Sequence, residues 1–254
     1  MKKMIASLAA AMLLWGASAS ADTLDFLKPF WMQMMDGVSN TASGKIPENV
    51  AVTCADERLT VEACGVLLEN DYSAEAHVYA VLKNTGSERL PIRSVQMTVL
   101  GANGNTLHQE NYVSYMPSVV EPGETMLVSE WMYDFVKEIG KVHSIQISVE
   151  TASRVNEKWK QLGDVRAWLD GDYLCVEFTN TTEKTLFGVI CAATVSDANG
   201  QILDMMMQSP YDTDDLGIAQ GSSIVWRKRL EDAATLKIGT DAVCKAWAYR
   251  MEDL

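Results

Sequence analysis

The stretch NTTEKTLFGVICAATVSDANGQIL, Asn180–Leu203, decides the fold because an earlier stretch of the same chain matches it without a gap. The earlier stretch, NTGSERLPIRSVQMTVLGANGNTL, occupies Asn84–Leu107, 96 positions upstream. Ungapped agreement of this kind indicates an internal repeat, and a repeat determines the architecture. The identical positions are Asn84/Asn180, Thr85/Thr181, Leu90/Leu186, Thr98/Thr194, Val99/Val195, Ala102/Ala198, Asn103/Asn199, Gly104/Gly200 and Leu107/Leu203.

The match continues beyond these stretches with small shifts. EPGETM at Glu121–Met126 corresponds to AQGSSI at Ala219–Ile224. Each copy is therefore about 100 residues long, which is the size of one β-sandwich domain. We expect a first domain over residues 46–154 and a second over residues 155–254.

The hydrophobic residues within each copy recur with a period of two. Val95, Met97 and Val99 occupy alternate positions, and Cys191 and Val195 take matching places in the second copy. Short alternating runs bounded by Asn, Gly, Pro and Asp predict strands of antiparallel sheets. The repeated Ala-Asn-Gly predicts a hairpin corner, where we expect Asn-Gly to supply positive φ angles.

The order of these motifs resembles a known group of domains. An apolar strand, N-T-G or N-T-T, a strand ending in V-x-D-A-N-G-x-I-L and a P-G-E type turn are similar to bacterial FxLYD-like and related Ig-like or fibronectin-like domains of secreted and envelope proteins. The aromatic-leucine-tyrosine-aspartate signature is incomplete, since Thr194–Asp197 keeps only its Asp. The resemblance implies an extracytoplasmic interaction module without a fixed ligand, and it brings no catalytic residues. The expected fold is all-β, with two tandem antiparallel Ig-like sandwiches behind a short N-terminal helix.

Residues 1–21 have the pattern of a cleavable signal peptide. Lys2 and Lys3 precede an apolar run that is too short to span a bilayer, and Ala19-Ser20-Ala21 forms an A-x-A cleavage site. We therefore expect a secreted or periplasmic protein whose mature chain begins at Asp22 and does not insert into the membrane.

The charge excludes one class of partner. The leader carries two lysines and no acidic residue, so its removal takes the formal net charge from -13 to -15. A surface this acidic repels phosphate backbones, which argues against nucleic acid as a partner.

Residues 22–45 belong to neither copy and predict a short helix followed by a linker. Leu27, Trp31, Met34 and Met35 lie at three- and four-residue intervals, so they would share one apolar helical face. This face either inserts into a groove of a partner or packs back on the first sandwich.

Five cysteines follow the leader, and in an oxidising compartment some of them are expected to pair. Cys54 and Cys64 flank a turn-like Ala55–Arg58, which makes them candidates for a disulfide across a hairpin. Cys191 and Cys244 are expected to face the second core, either as small buried thiols or as a core disulfide.

Known catalytic and cofactor motifs are missing from the sequence. The chain has no H-E-x-x-H, G-x-S-x-G, Walker or dinucleotide-binding pattern, so we expect no enzyme, no cofactor and no metal site. Two weaker patterns remain. Asp197 and Asn199, or Asp212, Asp214 and Asp215, offer oxygen ligands to calcium, but turn chemistry and solvation are the favoured interpretation. Met205–Met207, with Met32, Met34 and Met35, offer thioethers to copper, but core packing is the favoured interpretation.

The predicted function is therefore non-catalytic binding outside the cytoplasm, with another protein or a surface polymer as the partner. The alternatives are a soft-metal (copper) binding protein that uses the Met-rich positions and a structural envelope protein. The sequence leaves the oligomeric state open.

Overall fold

The computed structural model describes residues 45–48, 50–70, 74–132, 141–153, 157–207, 217–230, 236, 238 and 241–253. These residues form an all-β fold that contains several antiparallel sheets. The strands of the described residues are β1 (Lys45–Glu48), β2 (Ala51–Cys54), β3 (Leu59–Asn70), β4 (Ala74–Asn84), β5 (Leu90–Gly101), β6 (Thr106–Glu110), β7 (Ser114–Met116), β8 (Val119–Val120), β9 (Thr125–Met132), β10 (Val142–Thr151), β11 (Glu157–Leu162), β12 (Val165–Asp170), β13 (Tyr173–Thr179), β14 (Val189–Ser196), β15 (Ile202–Met207), β16 (Ser223–Arg229) and β17 (Val243–Asp253).

The strands assemble into four main sheets, which we number I to IV. Sheet I has the order β1-β3-β4-β9-β7, and sheet II has the order β2-β10-β5-β6. Sheet III has the order β11-β17-β14-β15, and sheet IV has the order β12-β13-β16. The order of sheet III matches that of sheet II strand for strand, and sheet IV matches the centre of sheet I. The edge strands differ, since β2 runs parallel to β10 whereas β11 runs antiparallel to β17.

Sheets I and II enclose the first core. Val95, Met97 and Val99 on β5 are buried and alternate with half-buried polar residues, as the period-two pattern predicts. They pack with residues of β4, β9 and β10 in one apolar cluster. The alternation predicted for this strand is therefore confirmed.

Sheets I and III pack face to face, so the two cores are not separated by a linker. All eight residues of β14 are buried, which requires sheet III to be covered on both faces. Leu67, Tyr79, Val81 and Leu127, on the outer face of sheet I, belong to the apolar cluster that contains the residues of sheets III and IV. The layers therefore follow the order II, I, III, IV, and the described residues belong to one compact unit.

Sheets I and III approach each other closely at Gly65. A Cβ atom added to Gly65 would lie 1.8 Å from the carbonyl oxygen of Ile202 on β15. Only a residue without a side chain permits this contact of backbone against backbone. Gly65 therefore sets the distance between the two sheets at this point.

The two hairpin corners have the same geometry. The N–H of Gly104 donates to the carbonyl of Gly101 at 2.9 Å, and the second corner repeats the bond from Gly200 to Asp197 at 3.0 Å. Positive φ is found at the glycines, 75° and 84°, whereas among the described non-glycine residues only Asp164 has a positive φ. The expectation that Asn also takes positive φ is therefore corrected. The loop is a type I turn closed by a glycine bulge, which needs left-handed backbone only at the glycine.

A buried asparagine lies at the end of β4, Asn84, and another directly after β13, Asn180. The Nδ2 amide of Asn84 donates to the carbonyls of Glu88 at 2.8 Å and Val120 at 3.0 Å. Asn180 makes the equivalent bonds, to the carbonyls of Lys184 at 2.8 Å and Ile218 at 2.7 Å. Buried carbonyls need hydrogen-bond donors. In each half of the chain, β1–β10 and β11–β17, the asparagine therefore ties the end of one strand to two other segments of the backbone.

Candidate functional site

A cleft of about 330 Å³ opens where the outer face of sheet I meets β15 and β16. We name it the junction cleft. Its size lies within the range of small ligand pockets, which occur preferentially between domains. Its lining residues are His77, Tyr79, Ser114, Ser129, Glu130, Trp131, Met205 and Lys228.

An aromatic pair forms one wall of the junction cleft. His77 and Trp131 are register partners on β4 and β9, so their side chains emerge side by side from sheet I. Their ring centroids are 4.4 Å apart and the rings are tilted by 42°. Trp131 remains 38% exposed, so it is accessible from solvent. Both rings line the cleft.

A chain of polar contacts runs beneath this wall. Tyr79 donates its hydroxyl proton to Oδ1 of Asp204 at 3.3 Å, and Lys228 Nζ donates to the same oxygen at 2.6 Å. His77 Nδ1 lies 3.2 Å from the Tyr79 hydroxyl. Because that hydroxyl proton goes to Asp204, His77 is the donor in this contact and carries its proton on Nδ1.

Asp204 is the buried charge at the centre of this chain, with a relative exposure of 4%. Its carboxylate also accepts the backbone N–H of Met205 at 2.7 Å, and Lys228 Nζ donates to the Met205 carbonyl at 2.9 Å. A buried carboxylate requires such partners because it has lost its water. The contacts join β4 in the first half to β15 and β16 in the second, so both halves fix the shape of the cleft.

The remaining rim is polar. Ser114 and Ser129 are register partners on β7 and β9 and line the cleft together. The backbone N–H of Ser114 donates to Glu130 Oε2 at 3.2 Å. Burial raises the pKa of the Glu130 carboxyl above its ordinary value. The cleft thus combines an aromatic wall, two hydroxyls and one ammonium that is already paired with a carboxylate, an arrangement suited to binding a ring or an aliphatic group flanked by polar atoms.

The predicted helix falls outside the described residues. Leu27, Trp31, Met34 and Met35 all belong to that part of the chain. Among the described residues no helix is long and apolar enough to cross a membrane.

The predicted Cys54–Cys64 disulfide is not formed in the structure. Both thiols are free, as are those of the other three cysteines. Ala55–Arg58 does form the expected turn, but the strands on either side of it join different sheets: β2 pairs with β10 and β3 with β4. Without hairpin pairing, the two side chains are not held opposite each other.

The cysteines of the second half are packing residues in this structure. Cys191 is fully buried, as expected, and burial raises the pKa of its thiol above the usual range. Cys244 is half-buried and packs against the same apolar cluster. Cys175, which lies out of phase with Leu174 and Val176, is nevertheless buried.

The two weaker metal patterns have structural uses. Oδ1 of Asp197 accepts the backbone N–H of Asn199 at 2.9 Å and that of Gln201 at 2.8 Å, so the carboxylate shapes the hairpin corner. Met205 and Met206 belong to the apolar cluster of the second half. Among the described residues no three His, Cys, Asp or Glu side chains are grouped as metal ligands.

Sequence reasoning missed the junction cleft because its parts lie far apart in the chain. His77, Trp131 and Lys228 come from strands that the repeat alignment treats separately. One signal was available: Asp204 interrupts the apolar run Ile202–Met207. A carboxylate in a buried strand needs a cationic or hydrogen-bonding partner, and that requirement points to a contact with another strand.

Comparisons with known proteins identify no family for this chain. No protein-family model matches it, and no curated protein matches it. Among solved structures, it is similar to the crystal structure of red sea bream transglutaminase, with 13% sequence identity and a TM-score of 0.20. The match covers 68% of this chain and only 27% of that one, so the chain spans about a quarter of the transglutaminase chain. At this TM-score the likeness carries no argument about fold or activity.

Proposed function

We propose that the protein is a non-catalytic interaction module outside the cytoplasm and that the junction cleft receives a side chain of a partner protein. The chain then acts as a rigid receptor built from two tandem Ig-like sandwiches. The proposal rests on the cleft and agrees with the predicted leader and the acidic surface.

The exposed Trp131 is the observation that carries the proposal. Its indole lines the cleft, with its ring centroid 4.4 Å from that of His77, and the residue is 38% exposed. Tryptophan is enriched among the residues that dominate protein–protein binding energies. The surrounding polar groups of Ser114, Ser129 and Lys228 supply the rim that such interfaces have.

The tandem organisation is supported by matched details in the two halves. Sheets II and III share one strand order, the hairpin corners share one hydrogen-bond pattern, and Asn84 and Asn180 make equivalent contacts. Two copies of one sandwich packed face to face give a stiffer receptor than two domains on a flexible linker. A stiff receptor loses less conformational entropy on binding.

In-cell photo-crosslinking tests the proposal directly. A benzoylphenylalanine placed at Ser129, on the rim of the junction cleft, is expected to trap a partner protein. The same residue placed at Thr98, on the outer face of sheet II, serves as the matched control. Adducts of equal mass and yield from both positions, or none from Ser129, would contradict the proposal.

A pair of aromatic substitutions locates the binding energy. Trp131→Ala is expected to abolish the Ser129 adduct, since its ring forms the wall of the cleft. Tyr112→Ala removes an aromatic ring that is 90% exposed but lies outside the cleft, and it should leave the adduct unchanged. Equal effects of the two substitutions would show that the cleft is not the site.

A further inference from the structure

The outer face of sheet IV carries charged and aromatic side chains in register. Arg166 on β12 lies opposite Glu177 on β13 and forms an ion pair with it. The Arg166 guanidinium also lies 5.2 Å from the ring centroid of Trp168. At the other end of the strand, Asp170 accepts a hydrogen bond of 2.6 Å from Arg227 on β16. The strand therefore displays a cation, an indole and a carboxylate at alternate positions on one face.

One edge of β12 is open in the part of the chain that the structure describes. Its counterpart β3 pairs with β4 on one side and with β1 on the other. The strand β12 stands at the end of sheet IV and pairs with β13 alone. An unpaired edge is a template for another strand.

The hydrogen bonds between β12 and β13 show which backbone groups of β12 face the open edge. Thr179 N donates to Asp164 O at 3.0 Å, so the residue at the start of β12 directs its carbonyl toward β13. Because hydrogen-bonded and non-hydrogen-bonded pairs alternate along an antiparallel ladder, Arg166, Trp168 and Asp170 also point their backbone groups inward. The N–H and C=O groups of Ala167 and Leu169 therefore point outward.

We propose that this edge binds a second copy of the chain, with the β12 strands of two copies pairing antiparallel about a twofold axis through Trp168. Ala167 then exchanges backbone hydrogen bonds with Leu169 of the partner subunit, and Trp168 lies against its own symmetry mate. Arg166 lies opposite Asp170 of the partner subunit, and this happens twice because the axis relates the two ends. Two three-stranded sheets become one continuous sheet of six strands.

Charge complementarity selects this occupant and this register. The outer faces of the two sheets lie on the same side of the joined sheet only if even-numbered residues of one β12 pair with even-numbered residues of the other. A shift of one strand by two residues places Arg166 or Asp170 opposite Trp168 and removes both Arg166–Asp170 pairs. The chain as a whole carries a formal charge of -13, so two copies repel each other elsewhere. At the paired β12 strands, positive and negative side chains alternate in one row. The row runs from Arg227 and Asp170 of one subunit to Arg166 of the partner subunit and Glu177 of the partner subunit.

Sedimentation equilibrium of the purified protein tests the proposal through a charge exchange. The wild-type chain is expected to sediment at twice the mass of a single chain. Arg166→Asp places two carboxylates opposite each other in each pair, and Asp170→Arg places two guanidinium groups opposite each other. Each variant alone should dimerise at least about tenfold more weakly than the wild type. An equimolar mixture of the two variants should dimerise again, because every pair then joins Asp to Arg.

A proline substitution separates edge pairing from stability. Ala167→Pro removes an N–H that points away from β13, and proline is tolerated at such edge positions. This variant should keep the circular dichroism spectrum of the wild type and sediment as a monomer. A wild-type monomer at all concentrations tested would overturn the proposal. So would dimers in Arg166→Asp, Asp170→Arg and Ala167→Pro that are as tight as those of the wild type.

Discussion

The hydroxyl of Tyr79 donates to Oδ1 of Asp204 across the boundary between the two halves of the chain, at 3.3 Å. Lys228 supplies the compensating charge at 2.6 Å, with side-chain exposures of 36% for Lys228 and 6% for Asp204. Lys228→Met would leave a buried carboxylate without its cation. We expect it to lower the free energy of unfolding by about 2 kcal/mol, less than for a fully buried pair because Lys228 is partly solvated. Urea unfolding followed by circular dichroism measures the change.

Two comparisons complete this test. Tyr79→Phe removes one neutral donor and should cost about 1 kcal/mol. Arg93→Ala breaks an ion pair whose side chains are 69% and 57% exposed, and its effect should stay below about 0.5 kcal/mol. If Lys228→Met proved as mild as Arg93→Ala, the ion pair would not hold the halves together.

The matched asparagines give a second prediction. Asn84→Ala and Asn180→Ala each remove an amide that bonds two backbone carbonyls, and each should cost about 2 kcal/mol. The two sites share no partners, so the double variant should lose the sum of the two effects. Asn103→Ala, at an exposed hairpin corner, is the control and should change little. A neutral result at one site would mean that the two copies use this residue differently.

The contact at Gly65 predicts a large steric effect. Gly65→Ala places a Cβ against the backbone of Ile202, which cannot move as a side-chain tip could. We expect a loss of roughly 3 kcal/mol in unfolding free energy, at the upper end for overpacked sites. Gly163→Ala has nothing within 4 Å of the added Cβ and should be nearly neutral. Similar thermal midpoints for the two variants would contradict the close packing of sheets I and III.

The turn between β2 and β3 gives a prediction about pH. Side-chain hydrogen bonds from Arg58, at 2.9 and 2.6 Å, lower the pKa of Asp56 below its ordinary value. A carboxyl group whose pKa is lowered in the folded state stabilises the fold above its ordinary pKa of about 3.9, and this contribution is lost as the pH falls through the lower value. Asp56→Asn should therefore reduce the stability lost on acidification by up to about 1 kcal/mol, a modest effect because the Arg58 side chain is 42% exposed.

The opposite sign is expected at Glu130. Burial raises the pKa of its carboxyl in the folded state, so the contribution is present at low pH and is lost as the pH rises through the raised value. Relative to the wild type, Glu130→Gln should therefore gain unfolding free energy as the pH rises from acid to neutral. Asp56→Asn should instead gain less unfolding free energy than the wild type over the same range. Unfolding curves recorded from pH 3 to 7 distinguish the two, and parallel profiles would refute the assignment.

The strands could be predicted because each half repeats a short-range signal. Alternation at Val95, Met97 and Val99 reflects one buried face, and the two Ala-Asn-Gly corners reflect the local need of a tight turn for glycine. These features depend on neighbours within a few residues. A single sequence therefore contains them in full.

The cleft and the stacking of the halves could not be predicted, because they depend on contacts between distant strands. Tyr79 and Val81 occupy the positions of β4 that alternation assigns to an outer face, yet both are buried, at 3% and 2% exposure. Apolar residues at every position of a strand indicate burial on both sides, but they do not identify what covers the second face. The predicted Cys54–Cys64 disulfide was wrong for a related reason. The two cysteines are close in sequence, but β2 and β3 belong to different sheets.

The two-sided burial of β4 affects the order of events during synthesis. The chain emerges from its amino terminus, so sheets I and II can close their shared core while β15 and β17 are still unmade. At that stage Leu67, Tyr79, Val81 and Leu127 form an apolar surface with nothing to cover it. This surface favours self-association of the chain until the second half packs against it.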